Sequence, residues 1–281
     1  MSGPAGRGPE RSGGRSKGAV GRKPPANRGL GGEQVEGRQA VAELLAARTR
    51  PVVAVWMAQD LDRAPVLDRI EKLAASARVP VRRVSRSRLE AEAATDAPQG
   101  VLAHARPLPE ADLDDLAGDA HAFLLAVDGV TDPHNLGALL RSAEAAGATG
   151  AVLARHRAVH VTPTVAKAAA GAVERVPMAV VGGMPAALAR AKELGCWVVG
   201  LAQDGDQPLF GLPVATEPVV VVVGSEGAGL SRLARARCDL VVSIPMRGHL
   251  GSLNVSAAGA LALFEVARRR QETIDTAPSR D

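Results

Sequence analysis

The sequence predicts an α/β fold whose C-terminal part, residues 120–270, is a parallel β-sheet covered by helices on both faces. Two observations carry this prediction: apolar runs alternate with stretches of helical spacing from Ala120 onward, and the runs are nearly continuous in Val and Leu. Strands that are apolar on both faces are typical of parallel sheets buried on both sides. With 46% hydrophobic residues in 281, the chain can bury a sizeable core. The residues alone therefore predict an ordinary doubly wound sheet.

The C-terminal elements follow from the position of each apolar run. Five runs predict strands, at Phe123–Val127, Ala151–Leu153, Trp197–Leu201, Val219–Val223 and Leu240–Ile244. Five segments of helical spacing predict helices, at Leu136–Ala146, Thr164–Ala170, Pro185–Leu194, Leu230–Ala236 and Val255–Arg269.

A smaller α/β unit is predicted over residues 33–106. Val41, Leu44 and Leu45 have helical spacing. The further elements are a helix at Val66–Ala77 and strands at Val52–Met57, Val79–Val84 and Gly100–Ala103. An acidic segment with two Pro, residues 107–119, is expected to link the two units.

The two ends of the chain are predicted to be flexible. Residues 1–32 are rich in Gly and Pro, and residues 271–281 are polar, so disorder is expected in both. The first 30 residues hold seven of the 34 basic side chains and one of the 30 acidic ones. Such a basic tail suits a polyanion such as RNA, and an inert solubilising extension is the alternative.

Composition also restricts the compartment and the chemistry. The basic start contains no apolar segment, so no signal peptide is expected, and Val219–Val223 is too short to span a bilayer. Cys196 and Cys238 are not placed at metal-site spacing. We expect a cytoplasmic protein with reduced, structural thiols, no metal and no membrane contact.

Three segments with glycine, amide or charged side chains each follow a predicted strand. They are Asp128–Ala148, Val223–Ser231 and Ile244–Ser256. In open α/β sheets, ligands collect at the carboxyl ends of the strands. We therefore expect the three segments to meet at one edge of the sheet and to form a ligand site.

Taken singly, each segment also has a purely structural interpretation. Pro133 and Asn135 are suited to open a helix, which would leave Arg141 as a solvated side chain. The G-x-x-G-x-G spacing from Gly224 is neither a P-loop nor the G-x-G-x-x-G fingerprint of dinucleotide-binding folds. Ser252 and Asn254 are suited to cap the last helix.

Taken together, in this order and spacing, the three segments resemble the motifs of the SpoU (TrmH-type) RNA ribose 2′-O-methyltransferases of the SPOUT superfamily. Val165–Pro177 resembles that family's middle segment. Glu36–Leu45 resembles the opening of the small substrate-binding domain, similar to ribosomal protein L30e, that many members carry. The resemblance covers about residues 37–269 and is weaker before residue 120.

The resemblance implies a fold that composition does not indicate. It implies a SpoU-type methyltransferase domain over 120–270 whose last segment threads a loop to form a deep trefoil knot, a rare feature in proteins. Residues 33–106 become the L30e-like RNA substrate-binding domain. Members work as homodimers joined through the knot region, with Val255–Arg269 as part of the interface.

The resemblance also implies S-adenosyl-L-methionine as cofactor. Gly224, Ile244 and Leu253 match the positions that hold it through backbone contacts. Leu201 is expected to line the adenine pocket, and Met246 is assigned to the same cofactor site.

Five residues match the family's catalytic positions. Arg141 matches the residue proposed to assist the ribose hydroxyl, and Asn135 the neighbour that positions Arg141 or the ribose. Glu226 matches a functional acid, and Ser252 and Asn254 match residues that orient the hydroxyl and the arginine. Two roles for Arg141 stay open, a general base or a clamp on phosphate and alkoxide, because guanidinium groups deprotonate only above about pH 12.

The family and this domain pair imply methylation of a guanosine in large-subunit (23S) rRNA. Transfer RNA guanosine and rRNA adenosine, the latter giving antibiotic resistance, are rival substrates. A non-catalytic RNA-binding relative is a second class of function. A nicotinamide oxidoreductase is a third, and the glycine spacing argues against it.

Overall fold

The structure, a computed structural model, describes residues 29–155 and 160–276 of the chain. Its strands form two sheets, one of four strands and one of seven. Most of the predicted tail, residues 1–28, lies outside the described residues, as does the end of the chain from residue 277.

The four-stranded sheet forms the N-terminal unit. Its strands are β1 (Gln34–Glu36), β2 (Val52–Ala58), β3 (Val81–Val84) and β4 (Val101–Ala105), in the order β1–β4–β2–β3. The β2–β3 pair is parallel, and the other two pairs are antiparallel.

The helices of this unit cover its sheet unevenly. Helices α1 (Arg38–Ala47) and α2 (Pro65–Ser76) bury one face, and the short helix α3 (Arg86–Glu92) reaches part of the other through Leu89. Neither β1 nor α3 was predicted. The strand has three residues, and α3 buries only Leu89, so neither has an apolar period to detect.

The seven-stranded sheet is parallel throughout, as the sequence predicts. Its order is β7–β6–β5–β10–β8–β11–β9. The strands are β5 (Phe123–Asp128), β6 (Gly150–Ala154), β7 (Met178–Val181), β8 (Trp197–Leu201), β9 (Gln207–Pro208), β10 (Val219–Gly224) and β11 (Leu240–Ser243). The prediction missed β7 and β9, both at the edges of the sheet.

Helices lie on both faces of this sheet, which confirms the predicted layering. One face carries α5 (Pro133–Ala145), α6 (Pro163–Ala168) and α9 (Val255–Thr276), and the other carries α4 (Leu113–Ala117), α7 (Met184–Glu193) and α8 (Arg232–Arg235). Helix α4 lies within the segment expected to be a linker. Helix α9 continues past Arg270, where flexible chain was expected, and Gln271 Nε2 donates to Asp275 Oδ1 at 2.8 Å.

A buried ion pair joins the two units. The guanidinium of Arg50 makes two hydrogen bonds to the Glu174 carboxylate, Nη2–Oε1 at 2.6 Å and Nε–Oε2 at 2.9 Å. The two side chains are 2% and 1% exposed. Arg50 Nη1 also donates to the Gly32 carbonyl at 2.7 Å. This bidentate geometry with further backbone acceptors is what a buried pair needs to offset its desolvation.

A second ion pair borders the first. Glu43 on α1 accepts from Arg175 Nη2 at 2.7 Å, and this contact lowers the pKa of the Glu43 carboxyl. Gly171, at φ +101°, lies so close that an added Cβ would fall 2.2 Å from the Glu43 Cβ. The two units therefore pack directly on each other around Glu43 and Glu174.

We expect Glu174→Ala to lower the free energy of unfolding by about 3–5 kcal/mol, because Arg50 would stay buried without its counter-charge. The double variant Arg50→Met, Glu174→Leu is expected to recover most of the loss. Urea unfolding followed by circular dichroism measures both. The control is Arg190→Ala, which removes the exposed Arg190–Asp114 pair and should barely move the midpoint. A Glu174→Ala protein as stable as the parent would contradict this account.

Candidate active site

The site lies where four neighbouring parallel strands end. At one edge of the sheet, β5 ends at Asp128, β10 at Gly224, β8 at Leu201 and β11 at Ser243. The loops that follow β5, β10 and β11 belong to the three segments singled out in the sequence. Since parallel strands share one carboxyl edge, these loops meet although they are far apart in the chain.

Two side-chain contacts join the loop after β5 to the loop after β10. Asn135 Nδ2 donates to Glu226 Oε1 at 2.8 Å, and the backbone N–H of Ser231 donates to Asp128 Oδ2 at 2.8 Å. Asn135 is 8% exposed, whereas Glu226 is exposed. The contact therefore fixes the direction of a buried amide and holds one oxygen of a carboxylate that solvent can reach.

The prediction that Pro133 and Asn135 open a helix is right for Pro133 and wrong for Asn135, since α5 begins two residues before Asn135. Asp132 is the N-cap, and its Oδ1 accepts from the backbone N–H of His134 at 2.8 Å. Pro133 occupies the first helical position, where its missing N–H costs nothing. Because Asp132 caps the helix, the Asn135 side chain is free to reach Glu226.

The loop after β10 is a tight glycine turn. The backbones of Ser225 and Gly229 exchange two hydrogen bonds of 3.0 Å. Gly227 and Gly229 have φ of +81° and +66°, a region that favours glycine. A Cβ on Gly224 would lie 2.1 Å from the Gly229 carbonyl carbon, so this close approach of the backbone requires glycine.

The loops enclose a cavity of about 700 Å³. It is lined by the five residues expected to bind cofactor and by three of the five expected to be catalytic. These eight are Leu201, Gly224, Ile244, Met246 and Leu253, then Glu226, Ser252 and Asn254. Asn135 does not line the cavity but holds Glu226, which does.

Asn254 lines the cavity and also caps the N-terminus of α9. Its Oδ1 accepts from the backbone N–H of Ser256 at 2.8 Å and from the Ser256 hydroxyl at 2.6 Å, at the start of α9. The capping interpretation is therefore right for Asn254. Since its Oδ1 takes these bonds, its amide N–H₂ is the part left to face a ligand.

Arg141, like Asn135, does not line this cavity, and unlike Asn135 it makes no hydrogen bond to a lining residue in the described part of the chain. It is exposed on α5 and is not among the lining residues. Six residues separate it from Asn135, which places it about 9 Å further along the helix axis and on another side of the helix. Any group that meets both Arg141 and the cavity must extend along α5.

Two charged residues line the cavity without having been predicted. Asp204, after β8, pairs with Arg235 on α8 through an Oδ1–Nη1 contact of 2.7 Å, which lowers the pKa of the Asp204 carboxyl. The sequence offered one signal for Asp204, its position just after a strand that ends at the same edge. Arg235 offered none, because an Arg on a short helix is usually a solvated side chain.

The remaining candidate groups were also located. Cys196 is buried, and burial raises the pKa of the half-buried Cys238 thiol to about 11, so it stays protonated near neutral pH. Within residues 29–155 and 160–276, no group of three or more His, Cys, Asp or Glu is placed to hold a metal ion. No helix in the same ranges is long and apolar enough to cross a bilayer.

Comparisons with known proteins match both units. Residues 122–264 match the SpoU rRNA Methylase family, and residues 34–111 match the family described as RNA 2'-O ribose methyltransferase substrate binding.

Individual relatives match almost over their whole length. The chain is 38% identical over 244 residues to the 23S rRNA (guanosine-2'-O-)-methyltransferase RlmB of Pseudomonas putida, covering 85% of this chain and 97% of that protein. It is 37% identical to the putative TrmH family tRNA/rRNA methyltransferase YacO of Bacillus subtilis, with 85% and 96% covered.

Among solved structures, the chain resembles the SpoU methyltransferase AviRb from Streptomyces viridochromogenes in complex with the cofactor AdoMet. The TM-score is 0.72 at 27% identity, over 85% of this chain and 90% of that chain. With a match of this extent in sequence and in the arrangement of both sheets, this chain belongs to the SpoU rRNA methylase family.

Proposed function

We propose that the protein transfers a methyl group from S-adenosylmethionine to the ribose 2′-hydroxyl of a guanosine in 23S rRNA. The family makes it an S-adenosylmethionine-dependent RNA 2′-O-methyltransferase. The observation that carries the proposal is the Asn135–Glu226 contact at the wall of a cavity lined by glycine backbone and by both polar and apolar side chains.

The cavity fits this cofactor. A volume of about 700 Å³ lies within the range of small-molecule sites, roughly 300–1,000 Å³. When bound, S-adenosylmethionine supplies a methyl group already activated by its sulfonium. In our proposal the backbone at Gly224, Ile244 and Leu253 holds the cofactor, Leu201 lines the adenine pocket and Met246 closes the apolar wall.

The protein's own part is to align the ribose oxygen and to manage one proton. Alignment alone can lower such a barrier by several kcal/mol. We assign that part to Asn254, whose N–H₂ is free to donate, and to Ser252 beside it. Glu226 is an exposed carboxylate with Oε1 bonded to Asn135, so its other oxygen is suited to accept the hydroxyl proton.

We assign Arg141 the role of binding phosphate and stabilising the alkoxide, rather than that of a general base. Guanidinium groups stay protonated at physiological pH, so a positive charge is what this residue can offer. We propose that it binds the phosphate next to the reacting ribose and stabilises charge on the oxygen. Its place outside its own chain's cavity requires the RNA, or a second subunit, to bridge α5 and the cavity.

The proposal includes a trefoil knot in the methyltransferase domain and an L30e-like fold for the N-terminal unit. The chain leaves the sheet at β11 and reaches α9, packed on α5 so closely that a Cβ on Gly259 would meet Leu139 at 2.3 Å. This return past the loops after β8 and β10 supports a trefoil knot over the methyltransferase domain, 120–270. The 33–106 unit is then the L30e-like substrate-binding domain.

A homodimer through the knot region is part of the proposal. Leu261 and Phe264 lie one turn apart on α9 and are 39% and 49% exposed, and Leu253 in the preceding loop is 40% exposed. An apolar strip of this kind is typical of a surface that a second subunit covers.

The choice of RNA rests on the relatives. Those at 38% and 39% identity are named for 23S rRNA guanosine, and we place the activity in the cytoplasm with no metal required. Transfer RNA is the second candidate, because the Bacillus subtilis relative is named for tRNA or rRNA.

One experiment tests the function. The protein is incubated with methyl-labelled donor and with deproteinised 23S rRNA or tRNA, and the labelled nucleotide is mapped. We expect label on the 2′-oxygen of one 23S guanosine. Label in tRNA would favour the second candidate, and label on a base, or in neither RNA, would overturn the proposal.

Gly224→Ala is expected to weaken S-adenosylmethionine binding by at least about tenfold, because a Cβ there would overlap the Gly229 backbone and force the loop open. Isothermal calorimetry measures the affinity. Gly251→Ala is the control, since Gly251 lines the same cavity but an added Cβ would meet nothing within 4 Å. Equal affinities in the two variants would contradict the proposed binding mode.

Arg141→Ala is expected to lower kcat by about 10²–10⁴-fold, a typical loss for a group that assists proton transfer or stabilises the developing charge. Cofactor affinity should stay unchanged, because Arg141 does not line the cavity. The control is Arg237→Ala, an exposed Arg after α8 on the other face of the sheet. Near-normal kcat in Arg141→Ala would remove Arg141 from the mechanism.

A further inference from the structure

One face of the four-stranded sheet lies away from α1 and α2 and is only partly covered: Ala58 and Leu102 on it are buried, whereas Trp56 and His104 stay partly exposed. Val55 and Met57 point to the core beneath α1 and α2, so Trp56, between them, points to the opposite face. Helix α3 covers only the end of that face, through Leu89 against Ala58 and Val84.

An aromatic and cationic cluster occupies this face. Arg82 is directly opposite Trp56 on the neighbouring strand β3, and both strands expose the same side there. The Arg88 guanidinium lies over the Trp56 ring, 5.3 Å from its centroid. The His104 ring meets the Trp56 ring edge-on at 5.5 Å. Arg106 is exposed, and by the alternation of side chains along a strand it faces the same side as His104, two residues before it. We call these five residues the open-face cluster.

The charges of the cluster are only partly balanced. In the part of the chain that the structure describes, Arg82, Arg88 and Arg106 form no ion pair, whereas neighbouring Arg83 and Arg86 pair with Glu71 and Asp60. On the acidic side, Glu92 lies 3.8 Å from His104. The buried carboxylate of Glu36 accepts from the backbone of Ala94 and Thr95. Three guanidinium groups thus remain for an external anion.

Trp56 is also the one Phe, Trp or Tyr among residues 34–111. A half-buried Trp that is flanked by free arginines, and is not enclosed in a core, is suited to stacking planar groups. Unpaired nucleotides offer both a planar base and a phosphate, whereas an acidic protein segment offers only the charge.

We infer that the open-face cluster binds unpaired nucleotides of the RNA substrate, with a base stacked on the Arg88–Trp56 pair and phosphates held by Arg82 and Arg106. The inference rests on the proposed function, since it names the surface by which that substrate is held. It differs from the cavity site because no residue of the cluster lines the cavity.

Steady-state methylation of deproteinised 23S rRNA tests the inference. Arg82→Ala and Arg88→Ala are each expected to raise the KM for RNA about tenfold with kcat unchanged, since these contacts are equal in ground and transition states. Each should also reduce the salt dependence of RNA binding by about one counterion. The control is Lys72→Ala, an exposed cation on α2 across the sheet, which should change neither constant.

A fluorescence measurement reports the contact directly. Trp56 and Trp197 are the two tryptophans of the chain, so Trp197→Phe leaves Trp56 as the sole reporter. In the Trp197→Phe protein, 23S rRNA should quench the Trp56 emission. The double variant Trp197→Phe, Arg88→Ala should show weaker quenching. Trp56→Phe should keep most of the RNA affinity and Trp56→Ala should lose it, with cofactor binding as the check that both fold.

The outcomes separate this inference from the proposed function. Unchanged KM in both Arg variants, with unquenched Trp56 in a protein that methylates rRNA, would overturn the inference alone. Quenching by polyglutamate but not by RNA would overturn it in favour of an acidic protein partner. Quenching and salt-dependent binding by rRNA without any methyl transfer would support the surface while the proposed reaction failed.

Discussion

The site depends on the register between two parallel strands. β5 and β10 pair Val127 with Val223 and Asp128 with Gly224, so both chains leave the sheet at the same level. A slip of one residue would move one loop by about 3.3 Å relative to the other. The 2.8 Å bond between Asn135 and Glu226, which are 91 residues apart in the chain, would then be lost. Burial of all five valines of β10, between helices on both faces, resists such a slip.

The Arg50–Glu174 pair fixes the N-terminal unit against the seven-stranded sheet. Both side chains are almost fully buried, and Glu174 lies in the short turn before β7, within the methylase unit. The four-stranded sheet is therefore held in one orientation relative to the cavity. RNA bound on the first unit is then presented to the cavity of the second at a fixed distance, which a freely moving domain would not allow.

The sequence predicted best what short segments determine. The Val-rich strands follow from local apolar runs, and the resemblance of the three motifs to the family implies the cavity residues Gly224, Leu253 and Leu201. The sequence-based prediction failed where a contact joins residues that are far apart in the chain. The Arg50–Glu174 pair spans 124 residues, and Asn135 looked like a helix cap because its partner Glu226 is not in the same segment. Strand β7 was missed because it is a run of only four residues at the sheet edge, of which Met178 and Ala179 alone are fully buried.

The residues that line the cavity indicate which part of the protein contacts the reacting ribose and which part is left to hold the rest of the RNA. Among the described residues that line the cavity none is aromatic, so no aromatic ring there can stack on the base of the target nucleotide. Methyl transfer itself needs alignment of one oxygen, which amides, a carboxylate and backbone can supply. In our proposal, contacts outside the cavity supply much of the affinity, and the four-stranded sheet carries Trp56 beside Arg82 and Arg88, which form no ion pair in the described part of the chain. On that proposal, methyl transfer and RNA recognition occupy separate sheets, and the rigid contact between the sheets presents the bound RNA to the cavity.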